Sequence, residues 1–197
     1  RQFEELFDIA RWVLVFKRRG LPLFTAALVE SAQAQGEQFG LPPGFQPEAV
    51  NVKQWLEQRL TFWAARVNED TAHLLLQEIE EGRLAGESIR QLEERVSKVF
   101  RFNDAVRAER IARTETQATA NFGALESYRQ SGVVESKEWV AALDERTRTA
   151  HAEAHGQTVP LEANFIVGGE SIAHPGEGSP ENSINCRCTI APVLSER

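Results

Sequence analysis

The order of apolar and polar positions changes character near residue 131, and each side predicts a different kind of structure. From Phe3 to about Arg19 apolar side chains recur at helical spacing, at Phe3, Leu6, Phe7, Ala10, Val13 and Phe16, with Leu14 and Val15 widening the stripe. Gly20-Leu21-Pro22 reads as a stop, and a second, shorter helix is expected from Pro22 to Ala34. Between Gln35 and Pro47 the chain carries Gly36, Gly40, Pro42, Pro43, Gly44 and Pro47. Two successive prolines stop helix and central strand alike, so this stretch is expected as a loop. Helical spacing resumes from Glu48 to about Val67 through Val52, Trp55, Leu56, Leu60 and Trp63. Asn68-Glu69-Asp70-Thr71 reads as a turn, with a further helix from Ala72 to Gly82. Ser88, with Gln91 three residues on, has the form of a capped helix start. The pattern then stays helical to about Gln130, with a break expected at Phe102-Asn103-Asp104, where Asn and Asp favour caps over helix interiors.

After Ser131-Gly132 the texture is that of short strands joined by Gly/Pro loops. Val133-Val134, Trp139-Val140-Ala141, Phe165-Ile166-Val167 and the stretch from Ile184 to Val193 read as strand material. Asp144 is placed to cap a short helix running through Arg148 and His151 to Gly156. The fold class expected is α+β. A helical docking arm over residues 1–35 precedes a helical body, a bundle or stalk, over 48–130. A small module over 131–197, of short strands and one short helix, packs on the long helix at 105–130.

Composition narrows the functional classes. The 197 residues are 42% hydrophobic with a formal net charge of -7, too apolar for a disordered acidic tail. The acid excess is concentrated at the end, where residues 151–197 carry two basic against six acidic side chains. No concentrated positive face of the kind that grips nucleic acid is visible. Lys17-Arg18-Arg19 is the local exception, read as the basic last turn of a helix or as a contact with phosphate or an acidic partner. No run reaches the roughly 18 apolar residues of a membrane span, and no secretory signal is read. The chain contains no Met and opens on Arg1, which reads as a mature product or an excerpt from a longer polypeptide.

Candidate chemistry collects in the final module, which holds both cysteines and three of the four histidines. His151 and His155 stand four apart, on one helix face, and Cys186 and Cys188 stand two apart on an expected strand, pointing the same way. Two imidazoles and two thiolates make a tetrahedral zinc set that would staple a thinly cored module. The alternative is that the histidines hydrogen-bond the loops and the thiols pack as small hydrophobes. His151-Ala152-Glu153-Ala154-His155 is not a zinc-protease helix, because Glu153 points roughly 200° away from His151 around the helix. Asp144, Arg148, His151 and Cys186 form a second constellation: a polar clamp pairing Arg148 with Asp144, or an enzyme site, either thiol-based with Cys186 as nucleophile and His151 as base or metal-assisted. Arg187, between the cysteines, faces the other side of the strand, toward an acidic group or a partner. Arg113-Thr114-Glu115-Thr116, Asn121 and Gly123 mark the helix side that supports the module through side-chain-to-backbone hydrogen bonds.

In combination, Arg113-Thr114-Glu115-Thr116, Trp139, Asp144-Glu145-Arg146-Thr147-Arg148, His151 and Asn185-Cys186-Arg187-Cys188 resemble the C-terminal module of tailed-phage minor head proteins, the Mu F-like head morphogenesis family. The resemblance covers about residues 105 to 192. It makes Arg113, Glu115, Trp139, Asp144, Arg148, His151, Asn185, Cys186 and Cys188 signature positions without assigning them an activity. It implies a structural protein of the virion, near the portal of the phage head, made in the host cytoplasm with the procapsid. Its implied partners are portal or major capsid protein and packaged DNA. Its implied role is head assembly and DNA packaging or delivery.

Overall fold

The computed structural model describes residues 9–194. Three long helices come first: α1 (Ile9–Phe39), α2 (Val50–Leu84) and α3 (Ile89–Ser131). They are fewer and longer than the sequence pattern suggests. The start of the first predicted helix, at Phe3, Leu6 and Phe7, lies outside the described residues.

Helix α1 runs through Gly20-Leu21-Pro22, where a stop was expected. An interior proline forfeits one backbone hydrogen bond, here to the Arg18 carbonyl. Leu21, Pro22 and Leu23 are exposed, so water reaches that side of the helix. Lys17, Arg18 and Arg19 therefore sit mid-helix, and the dipole argument for a basic last turn does not apply to them. The true end is at Phe39, where Gly40 takes φ +62°. The Leu41 N–H reaches the Gly36 carbonyl at 2.9 Å and the Gly40 N–H reaches Glu37 at 3.4 Å, the paired bonds of a Schellman cap.

Helices α2 and α3 likewise continue through Asn68-Glu69-Asp70-Thr71 and Phe102-Asn103-Asp104, correcting both predicted breaks. Asn and Asp cost under about 1 kcal/mol each in a helix interior, whereas a new pair of helix ends strands up to four N–H and four C=O groups. Between them, the Gln91 side chain accepts from the Ser88 N–H at 2.8 Å, as the capping pattern predicts.

The chain divides into two compact units. One comprises residues 9–23 with Lys53–Glu109, the other Phe24–Val52 with 110–194. In the first, Leu56, Leu60 and Ala64 form a buried stripe at i, i+4 spacing on α2. Arg95 on α3 bonds Glu87 at 2.7 Å, Glu78 at 3.0 Å and Glu81 at 3.5 Å, while Lys17 pairs with Glu57.

The second unit combines two α/β layers on the C-terminal part of α3. A three-stranded antiparallel sheet has β1 (Val134–Val140) at its centre, between β2 (Thr158–Pro160) and β5 (Thr189–Leu194). A hairpin of β3 (Phe165–Val167) and β4 (Glu170–Ile172) turns at Gly168-Gly169, with φ +58° and +82°. Positive φ at both turn positions is the hairpin geometry that glycine supplies without strain. Short helices α4 (Thr149–Glu153) and α5 (Pro180–Ser183) complete the unit. Its core joins Leu125, Tyr128, Trp139, Phe165, Val167, Ile172, Cys186, Cys188 and Ile190. The Trp139 ring meets Phe165 edge-on at 5.4 Å and His151 at 5.7 Å.

Two close approaches fix the helix in this packing. A Cβ on Gly123 would lie 2.6 Å from the Leu28 carbonyl oxygen, so α1 and α3 come together only over hydrogen. A Cβ on Gly176, where φ is +93°, would lie 2.6 Å from the Ala118 Cα, so the loop after β4 lies directly on α3.

Candidate functional site

Helix α3 presents polar side chains to backbone groups of the returning C-terminal segment. Gln117 Nε2 and Asn121 Nδ2 both donate to the Cys188 carbonyl, at 2.7 and 3.0 Å. The Tyr128 hydroxyl donates to the Ile190 carbonyl at 3.1 Å, and Thr114 Oγ1 accepts from the Asn185 N–H at 3.0 Å. This is the support expected of that helix side. Asn185 takes φ +54°, a left-handed conformation that Asn tolerates better than most residues. It turns the chain between α5 and the Cys186-Arg187-Cys188 segment.

That segment is not itself strand, since β5 begins at Thr189. Both cysteines nevertheless point inward and are buried, with Arg187 turned outward to form a two-pronged pair with Asp144. The Arg187 guanidinium holds the Asp144 carboxyl well below the usual carboxylate range. This replaces the expected Asp144–Arg148 clamp. Asp144 does not cap a helix. It heads a turn in which its carboxylate accepts from the Arg146 N–H at 3.0 Å and the Thr147 hydroxyl at 3.2 Å, while α4 starts only at Thr149. Asp144, Arg148 and His151 therefore share no helix face. Arg148 reaches the Ile184 carbonyl instead.

His151 lies on α4 at 2% exposure, as do Cys186 and Cys188 before β5. Its Nδ1 stands 3.3 Å from Cys188 Sγ and 3.7 Å from Cys186 Sγ. Its Nε2 stands 3.2 Å from Asn182 Oδ1. Because the Asn182 amide nitrogen donates to the Val167 carbonyl at 3.3 Å, Oδ1 is the acceptor and Nε2 carries the proton. The Nδ1 lone pair then faces both sulfurs. The thiols are coupled: a hydrogen bond from Cys188 holds the Cys186 thiol's pKa down, and the same bond, with burial, pushes Cys188 up. His151, Cys186 and Cys188 together form a group of metal-ligating type, with ligand atoms within 4.8 Å of one another.

His155 stands apart from this group. Helix α4 ends at Glu153, so the four-residue spacing no longer places His155 on the His151 face. Its ring is exposed and its Nδ1 accepts from the Ala141 N–H at 3.2 Å. His174, buried, donates from Nδ1 to the Pro175 carbonyl at 3.0 Å. Both hydrogen-bond backbone groups of loops. Of the signature positions, Trp139, Glu115, His151 and the cysteines are buried; Arg113, Asp144, Arg148 and Asn185 are exposed. Sequence reasoning missed Asn182 and Gln117, since a polar residue in a turn and one on a long polar helix carry no periodic signal.

The family profile of Phage Mu protein F like proteins matches residues 73–191. The chain belongs to this family. The match begins well upstream of residue 105, so it takes in part of α2 as well as the C-terminal module. Within the family setting, two curated relatives are similar to the chain. Minor head protein GP7 of Bacillus phage SPP1 is 34% identical over 120 residues, covering 59% of this chain and 39% of that protein. NAD(+)--arginine ADP-ribosyltransferase EFV of Enterococcus faecalis (strain ATCC 700802 / V583) is 28% identical over 143 residues, covering 71% of this chain and 28% of that protein. The chain thus spans under two fifths of either relative's length. No solved structure matches.

Proposed function

We propose that this Mu F-like chain acts as a minor head protein, associated with portal or major capsid subunits in the virion. Its work there is head morphogenesis and DNA packaging or delivery. The observation that carries the reading is the family match over residues 73–191, joined to the 34% identity with the minor head protein of phage SPP1. The geometry supports binding as the mode of action. The His151–Cys186–Cys188 group is turned inward, and the polar side chains of α3 are used on the module's own backbone. On α1, Leu14 and Leu21 are exposed seven residues apart on one stripe, the spacing by which a helix offers apolar contact to a partner. Arg18 and Arg19, exposed between them, offer charge to an acidic surface or a phosphate backbone, whereas Lys17 pairs with Glu57. Among the described residues no helix is long and apolar enough to cross a membrane.

Quantitative mass spectrometry of purified heads from the producing phage tests the proposal. The chain should be present at a few copies per head and co-purify with the portal or coat subunits. Its absence from heads contradicts the reading.

An enzymatic reading through His151 and Cys186 has one observation in its favour: the cysteine sulfurs, His151 and Asn182 fall in a Cys–His–Asn order, the arrangement of some thiol hydrolases. It requires a path for substrate to sulfurs that are 2% exposed. Alkylation of the folded chain separates the two readings. A catalytic thiolate reacts under native conditions, whereas a framework thiol reacts only as the module unfolds.

A further inference from the structure

We propose that His151 Nδ1, Cys186 Sγ and Cys188 Sγ form a zinc site that ties helix α4 to the segment entering β5. Zn–S of about 2.3 Å and Zn–N of about 2.0 Å put tetrahedral nitrogen and sulfur ligands roughly 3.5 Å apart. The two sulfurs stand 3.3 and 3.7 Å from the imidazole nitrogen. That nitrogen is the one left with a lone pair, because Nε2 keeps the ring proton and donates it in a hydrogen bond to Asn182 Oδ1, which fixes the ring. A second hydrogen bond of this kind is the usual orienting partner of a metal-bound imidazole.

Charge supports the same ion. Zinc displaces both thiol protons to solvent, and two thiolates with one Zn²⁺ and a neutral imidazole sum to zero. A buried site with no net charge avoids the desolvation cost that isolated thiolates would carry. Soft sulfur with imidazole is the ligand chemistry of zinc, and not of magnesium or calcium. Three protein donors leave the fourth corner of the tetrahedron to a solvent-derived ligand.

The fold explains what the ion does. Strands β2, β3 and β4 are three residues each, and His151 and the cysteines are separated by 35 and 37 residues of mostly short elements and turns. One ion closing that span stabilises a unit whose own strands bury little.

Elemental analysis of the full chain, purified without chelator, gives the first measurement. Cobalt(II) titration of the chelated protein gives the second. The expected result is stoichiometric zinc, and with cobalt a thiolate-to-metal charge-transfer band of a tetrahedral ion. Cys188→Ser and His151→Asn should abolish both, and His155→Ala should leave both intact. Since the first two variants remove core side chains and can fail to fold, Asn182→Ala supplies a ligand-preserving check: zinc affinity should fall about 10–100-fold. Folded wild-type chain that retains no zinc and gives no charge-transfer band at equimolar cobalt overturns the proposal. So does a Cys186–Cys188 disulfide in the freshly purified folded protein, or zinc that survives Cys188→Ser and His151→Asn in folded variants.

Discussion

The two compact units spend polar side chains in opposite ways. In the front unit, Arg95 gathers Glu78, Glu81 and Glu87 at the helix surface, and Lys17 meets Glu57 across two helices. These ion pairs face water, where such contacts contribute little. In the second unit, buried and half-buried polar groups are aimed at backbone carbonyls and at one another: Gln117 and Asn121 at Cys188, Tyr128 at Ile190, Asn182 at His151 and Val167. An unmade hydrogen bond there costs the full desolvation of the group left behind. The front unit packs through the buried Leu56, Leu60 and Ala64 stripe, whereas the second unit adds directional bonds within its interior, and the signature residues fall in that second unit.

Substitutions can break or sharpen that contrast. The largest effect is expected for Trp139→Ala, which removes the ring packed against Phe165 and His151 at 1% exposure. Chemical denaturation should show a loss of about 3–5 kcal/mol in the C-terminal unit. Gly123→Ala comes next, because its methyl group would meet the Leu28 carbonyl at 2.6 Å and force the two helices apart. The expected loss is about 1–3 kcal/mol, read by thermal unfolding. Arg95→Ala, in the front unit, should cost least of the three, and high salt should erase even that loss. A loss as large as that of Trp139→Ala would erase the contrast.

Two titrations give smaller and more specific tests. Lys137 is buried under the hairpin, where its ammonium donates to the Ala173 carbonyl at 2.8 Å and lies 5.2 Å from the Phe165 ring centre. Burial pulls its pKa down to about 8. The unfolded chain therefore binds the proton more tightly, and stability should rise with pH between about 8 and the ordinary lysine value near 10.4. Lys137→Met should flatten that rise in a pH series of denaturation curves. Asp144 gives a slope of the same sign in an acid window: its carboxyl is depressed by Arg187, so its contribution is present above the ordinary carboxylate pKa of about 4 and is lost on acidification below it. Asp144→Asn should remove that small acid-side slope.

Much of this was legible in the sequence, for reasons that differ by region. Helix termini marked by special chemistry were readable: Ser88 with Gln91, and Gly132 after Ser131, each satisfy orphan groups in a way that side-chain type reveals. Interior stops were misread, since Pro22, Asn68 and Asn103 lower local propensity without outweighing the helix around them. In the module, Val133-Val134, Trp139-Val140-Ala141 and Phe165-Ile166-Val167 read as strand from their β-branched and aromatic residues, and the structure joins the first two pieces into the single strand β1. The cysteine pair and His151 were visible as chemistry. Their true partner, Asn182, was not, because it arrives from a four-residue helix that only the fold brings alongside. His155 misled for a related reason: i, i+4 spacing has meaning only while the helix lasts, and α4 stops at Glu153.

Native-state amide hydrogen exchange on the full chain tests the central contrast most directly. Amides of β1, β5 and α4, including Trp139, Ile190 and His151, should exchange together and only through opening of their whole unit. Amides of α2 over 66–84 should open at clearly lower free energy. Exchange of the β1 and β5 amides as fast as those of α2 would contradict it.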